Sequence, residues 1–194
     1  MNLVGNSCIS SYIVRDIIGQ KFTNPFVWCI MDFDSCYNLV KYWDEFNFWN
    51  YDIIKDNDWN FSILIDNKVK VQFVHYIFSK DDTVIRKKDN NVYYNHIWEY
   101  IDEKYKKRIA DIKLEKPIFI FATANYGFER HKPFTLEQQK KMEALNSQYK
   151  IIFSFKDMIK SDNIICITQN KKFFGNDIVI AKYIWEKINE HYYK

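Results

Sequence analysis

The chain opens on a short apolar run, Met1–Val4, which gives way through Gly5-Asn6-Ser7-Cys8 to apolar residues at helical spacing. Ile9, Tyr12, Ile13 and Ile17 share one face and Gly19 follows as a stop signal, predicting a strand over 1–4 and a helix over 7–18. An irregular segment over 20–33 leads to a helix over 35–46. Asp34 is its expected N-cap, and Cys36, Leu39, Val40 and Trp43 its buried face. A polar, Trp-rich stretch over 47–60 precedes a hairpin of Phe61–Ile65 and Val69–Phe78. Its strands are joined near Asp66-Asn67, a pair suited to a tight turn with positive φ. Along the second strand Val69, Val71, Phe73, His75 and Ile77 alternate onto one face.

A charged stretch over 79–91 is followed by a long helix over about 92–113, carrying Ile97, Ile101, Tyr105, Ile109 and Ile112. Pro117–Ala124 then reads as an apolar strand ending in Asn125-Tyr126-Gly127, and Thr135 with Gln138 as a capping box opening a helix to about 146. Ile151–Phe155 and Ile164–Thr168 are short apolar strands. A last helix over 177–192 turns Ala181, Ile184, Trp185 and Ile188 inward. Short apolar strands alternating with helices predict an α/β fold: one domain over 1–194, its mixed or partly parallel sheet flanked by helices on both faces.

Composition narrows the partners. The net charge of +3 arises from 28 basic and 25 acidic residues spread along the whole chain, with no basic arm or stripe, so nucleic acid is not implied. Aromatics reach 19% beside only 4 Gly and 3 Pro. With abundant Lys, Asn and Ile this reads as A/T-biased coding rather than a base-stacking surface. No apolar stretch approaches a membrane span, and the N-terminus lacks the charged and apolar regions of a secretory leader. Cys8, Cys29, Cys36 and Cys166 show neither metal nor disulfide spacing. The expectation is a cytoplasmic protein, with Cys29, Cys36 and Cys166 in its core. His75, His96, His131 and His191 have no recognisable ligand spacing, and no metal or cofactor is expected.

Candidate chemistry centres on Cys8. A strand, a Gly-bearing turn and a helix opening with Ser7-Cys8 present a thiol to the positive end of a helix, where unpaired N–H groups stabilise an anion and lower the thiol's pKa. The alternative is a small buried residue at a helix start. His75, on the apolar face of its strand, is the candidate base. Asn125, at a strand end, is the best candidate to orient it, and Asn6 is a candidate oxyanion donor. The same turn is similar to the Gly-Asp-Ser opening of SGNH esterases, which would make Ser7 the nucleophile. That reading requires a C-terminal Asp-x-x-His; Asp177 is followed three residues on by Ile180, and Asn6 replaces the first motif's Asp.

Val4-Gly-Asn-Ser-Cys8, Asn24-Pro-Phe-Val-Trp28, Phe73-Val-His75-Tyr76, Tyr105-Lys-Lys-Arg108-Ile109 and the apolar strand from Pro117 follow in order. Over residues 3–125 this series resembles a bacterial family of unknown function described as papain-like cysteine peptidases, and an allied group found among exopolysaccharide-biosynthesis proteins. The resemblance implies Cys8 as the family's cysteine and His75 as its histidine. Val27 and Lys107 depart from its usual Asp and Arg. It also implies a small-molecule or glycan-precursor substrate linked to surface-polysaccharide biosynthesis, with Asn6, Ser7, Trp28 and Arg108 as candidates to hold it. Helical spacing puts Lys104 and Arg108 on one side and Lys107 on another, for which a solvated face is expected; under the resemblance Arg108 would hold a phosphate or carboxylate. The competing expectation is a glycosyltransferase-like or non-catalytic binding protein of the same pathway, with Cys8 structural. A nucleotide-sugar enzyme calls for a Gly-rich loop or an Asp-x-Asp motif, and in Asp32-Phe33-Asp34 the second Asp is already assigned to a helix cap.

Overall fold

The computed structural model describes residues 2–5, 8–19, 24–26, 29–57, 60–73, 77–78, 84–85, 97–110, 112, 117–122, 134–145, 150–154, 164–166 and 177–192. In chain order the first elements are β1 (Asn2–Gly5), α1 (Cys8–Tyr12), which runs on as a π-helical turn (Ile13–Ile17), β2 (Cys29–Ile30) and α2 (Phe33–Lys41). A 3₁₀ turn (Trp43–Glu45) leads to β3 (Tyr51–Asn57), β4 (Asn60–Ile65) and β5 (Val69–Phe73), then the short β6 (Ile77–Phe78) and β7 (Val84–Ile85). The remainder is α3 (Ile97–Ala110), β8 (Pro117–Ala122), α4 (Leu136–Glu143), β9 (Lys150–Ser154), β10 (Ile164–Cys166) and α5 (Asp177–Tyr192).

Apolar residues on both faces of β8 decide the architecture. It is flanked by β1 and β9 in a parallel sheet of order β1-β8-β9-β10. A strand covered on both sides has no polar face to alternate, which is why Pro117–Ala122 reads as a continuous apolar run. Phe119 and Phe121 enter one core with Val4; Ile120 enters another with Ile13, Val14, Ile180, Ala181, Ile184 and Ile188. The helical segment begun by α1, together with α5, therefore covers one face of the sheet. The other face packs on α2, α3 and the second sheet, of order β2-β5-β4-β3 and antiparallel throughout. The α/β class with helices on both faces of a parallel sheet is thus present, and the two sheets share one aromatic core. Trp43 packs edge-on against Phe119 at 5.5 Å and against Phe48 at 5.3 Å.

Local expectations fare unevenly. Asp66 and Asn67 adopt φ of 50° and 54°, both central positions of a hairpin turn with positive φ. The capping box of Thr135 and Gln138 is formed. The second helix, however, is capped by Asp32, whose carboxylate accepts from the Ser35 N–H at 2.8 Å, and not by Asp34, which lies in the first turn. The segments expected to be irregular and polar contain β2 and β3. β2 has two residues, too few to carry a period. β3 is a sheet edge where adjacent Ile53 and Ile54 point to opposite faces and both stay half-buried, so no alternation survives. Among the described residues no helix is long and apolar enough to cross a membrane.

Candidate functional site

The candidate site is built outward from Gly5, the last residue of β1. Gly5 pairs with Ile120 and so faces the α1 side of the sheet. There a Cβ on residue 5 would lie 2.2 Å from Ser10 Oγ and 2.4 Å from Ser10 Cβ, while Ser10 itself is buried. Only glycine lets the helix come this close to the strand. Cys8, three residues after Gly5, is the first residue of the helical segment.

On the opposite side, the Cys29 thiol donates to the Gly5 carbonyl at 3.5 Å. β1 is an edge of the parallel sheet and β2 an edge of the antiparallel one, so this contact joins the two sheets where β1 ends. Cys29 also pairs through its backbone with Phe73, the last residue of β5. Cys29 and Cys36 are buried free thiols, as the apolar patterns around them predict. Burial, with Cys29 and Asp32 nearby, holds the Cys36 thiol well above the usual range.

A second cluster comes from α3. Its apolar ladder Ile97, Ile101, Tyr105 and Ile109 is buried, and the adjoining stripe Tyr100, Lys104 and Arg108 at successive i+4 steps turns inward with it. Arg108 is only 7% exposed, and Lys104 is half-buried. The solvated face expected for this pair is therefore wrong: the stripe borders the apolar ladder, and closing the helix on the core carries both cations inside. Lys106 and Lys107 remain exposed. The Lys104 ammonium lies 3.4 Å from the Tyr100 hydroxyl and 5.4 Å from its ring centroid. Desolvation, and next the positive charge of Arg108, hold the Lys104 pKa down to about 7. Burial also pushes the Arg108 guanidinium down, against the opposing influence of Cys29 and Tyr100, both within electrostatic reach. Cys29 is thus bonded to the strand end and within electrostatic reach of Arg108.

Of the residues singled out in the sequence, Arg108 falls in this neighbourhood, and Cys8 is placed by its backbone at the start of α1. His75, Asn125, Asn6, Ser7 and Trp28 lie outside the described residues. Sequence reasoning passed over the burial of Tyr100 and the half-burial of Lys104. The signal for them was present: an i+4 series (100, 104, 108) directly beside the apolar series 97, 101, 105 and 109.

An aromatic lock fixes α3 against β3. The Tyr105 hydroxyl donates to the Phe48 carbonyl at 2.9 Å, its ring meets that of Tyr51 at 4.4 Å, and the Tyr51 hydroxyl donates to Asp102. Desolvation raises the pKa of both phenols. Desolvation pushes the Asp102 carboxyl up, but hydrogen bonds from Lys106 and Tyr51 outweigh it and leave the group below the ordinary carboxylate range. The chain matches no protein-family model, and no curated protein matches it as a relative.

Proposed function

We propose that this chain catalyses cysteine-dependent acyl transfer or hydrolysis, with Cys8 as nucleophile, His75 as base and Asn125 orienting the imidazole. The observation that supports the reading is that the described ends of β8 and β5 lie beside the end of β1 at Gly5. Cys8 follows Gly5 by three residues. Asn125 follows the last residue of the neighbouring parallel strand, Ala122, also by three, and Ile120 of that strand is the register partner of Gly5. His75 follows Phe73 by two, a reach of up to about 7 Å, and Phe73 pairs with the same Cys29 that donates to Gly5. Parallel strands such as β1 and β8 take ligands at their carboxyl ends.

In the proposed reaction His75 accepts the Cys8 proton and the thiolate attacks the acyl carbonyl. The developing oxyanion is met by the Cys8 backbone N–H and Asn6. Collapse expels the leaving group, which takes the proton back from the imidazole, and leaves a thioester on Cys8. Water, a sugar hydroxyl or an amine, deprotonated by His75, then attacks the thioester and frees the thiol. Ser7, Trp28 and Arg108 would hold the substrate. Its tie to surface-polysaccharide assembly rests on the family resemblance alone. A cytoplasmic setting is supported by the two buried free thiols.

The test follows alkylation of Cys8 by iodoacetamide across pH. A helix-start thiol beside an imidazole should titrate well below the ~8.5 of a free cysteine, and His75→Ala should return it towards that value. A Cys8 that titrates as an ordinary thiol in both proteins would refute the assignment. Against a panel of acyl esters and thioesters, Cys8→Ser should lose turnover while Ser7→Ala, which removes a substrate-holding hydroxyl and not the nucleophile, should weaken it without abolishing it. The reverse pattern would identify an SGNH-like esterase.

A further inference from the structure

We infer that Trp49, with Asn47 and Asn50 on either side of it in the chain, forms a docking platform for a pyranose ring of a saccharide. The platform is remote from Gly5. It lies at the turn end of the β4–β5 hairpin, whereas Phe73, which pairs with Cys29, closes the other end of β5. Trp49 keeps 60% of its surface exposed, more than any other large apolar side chain among the described residues. Its backbone is nevertheless held on both sides. The preceding Phe48 is buried against Trp43 and Phe46, and its carbonyl accepts from the Tyr105 hydroxyl. The carbonyl of the following Asn50 accepts from the Asp66 N–H at 2.8 Å, and its Nδ2 donates to the Asp66 carboxylate at 2.8 Å. An indole left in water on a backbone this constrained is a preformed ligand surface, because little remains to be ordered on binding.

The polar neighbours select the ligand. Asn47 Oδ1 accepts from the Trp49 N–H at 3.1 Å, so its amine is the end left for a ligand. Asn50 Nδ2 is committed to a carboxylate, so there the oxygen is left. Both residues are exposed. One fixed donor and one fixed acceptor thus accompany the ring. Neighbouring hydroxyls of a pyranose donate and accept in this combination, while its C–H face rests on the electron-rich face of the indole. An anion would call for donors alone, and the nearby Lys68 ammonium is already paired with Asp66 at 2.7 Å. A peptide groove offers several apolar anchors at strand or helix spacing. Here Tyr42 and Phe46 lie under the Lys68 ammonium, at 5.6 and 5.9 Å from their ring centroids.

Calorimetric titration of the full chain with cellobiose, maltose, lactose and N,N′-diacetylchitobiose tests the inference. Saturable binding with Kd of about 1 mM or tighter is expected for at least one of them, weakened roughly tenfold or more in Trp49→Ala. Asn47→Asp keeps the acceptor for the Trp49 N–H but loses the amine, and should weaken binding roughly threefold or more at an unchanged urea midpoint. Trp98→Ala removes the other exposed indole among the described residues and should stay within about twofold of the parent. Should Trp49→Ala fail to fold, Asn47→Asp decides. Absence of binding in the parent up to about 10 mM sugar, or an equal loss in Trp98→Ala, overturns the inference. So does Trp49-dependent binding of a proline-rich peptide when no saccharide binds. The platform does not depend on the cysteine chemistry, so Cys8→Ala should bind as the parent does. Loss of binding there would move the saccharide to the Cys8 site and remove the platform.

Discussion

Gly5 carries more structural consequence than any other single position near the candidate site. Added at residue 5, a methyl group would overlap the Cβ of Ser10 at 2.4 Å and come within 3.2 Å of the Ile120 carbonyl. Neither neighbour is the far end of a flexible side chain, so relief requires the helix to move off the strand. Gly5→Ala should therefore destabilise the chain by about 2–4 kcal/mol in urea unfolding. It should also change the alkylation rate of Cys8, three residues downstream. In the double variant Gly5→Ala, Ser10→Gly the overlap with Ser10 disappears. Most of the stability should return, less about 1 kcal/mol for a helical glycine. If the double variant is no more stable than the single one, the clash with Ser10 is not what the glycine avoids.

At the scale of elements, α3 illustrates how one helix can be read correctly and misjudged at once. Its apolar ladder was legible because Ile97, Ile101, Tyr105 and Ile109 repeat at four-residue steps. The stripe beside it was assigned to solvent because charge is normally exposed, and nothing in local spacing reports how deeply a helix sinks into a shared core. The misjudged stripe has a pH consequence. Lys104 titrates near 7 when folded, below its ordinary value of 10.5. Above pH 7 the unfolded chain thus holds a proton that the folded chain has shed, and stability rises with pH. The ceiling is about 1.4 kcal/mol per pH unit, and partial exposure of Lys104 will reduce it. Cys36 acts in the other direction only near and above the ordinary thiol range, because its folded pKa is raised and the unfolded thiol ionises first. Urea midpoints compared between about pH 6 and about pH 8 should therefore increase in the parent and increase less in Lys104→Met. An identical slope in both proteins would show that this lysine is solvated after all.

Over the whole molecule, the α/β class was readable because apolar runs and helical periods alternate along the second half of the chain. What escaped was the antiparallel sheet's full extent: β2 is too short for a pattern, and β3 is an edge with apolar residues on both faces. The start of a helix at Cys8, directly after a strand ending at Gly5, was legible in the sequence, whereas the role of Cys29 was not. Its bond to Gly5 and its pairing with Phe73 join segments 24 and 44 residues away in sequence. This long-range stitching bears on whether the two sheets behave as one domain. Trp43 packs on Phe26 and Phe48 on the antiparallel side and on Phe119 of the parallel sheet. Truncating a fully buried side chain of this size costs about 3–5 kcal/mol. If the shared core makes a single cooperative unit, Trp43→Ala should lower the protection of amides in β4 and in β8 by the same amount under native-state hydrogen exchange. Chemical and thermal unfolding should remain one transition, with far-ultraviolet circular dichroism and tryptophan fluorescence coinciding. Loss of protection confined to one sheet, or two separated transitions, would divide the chain into two independently stable units, with the candidate site lying along the seam between them.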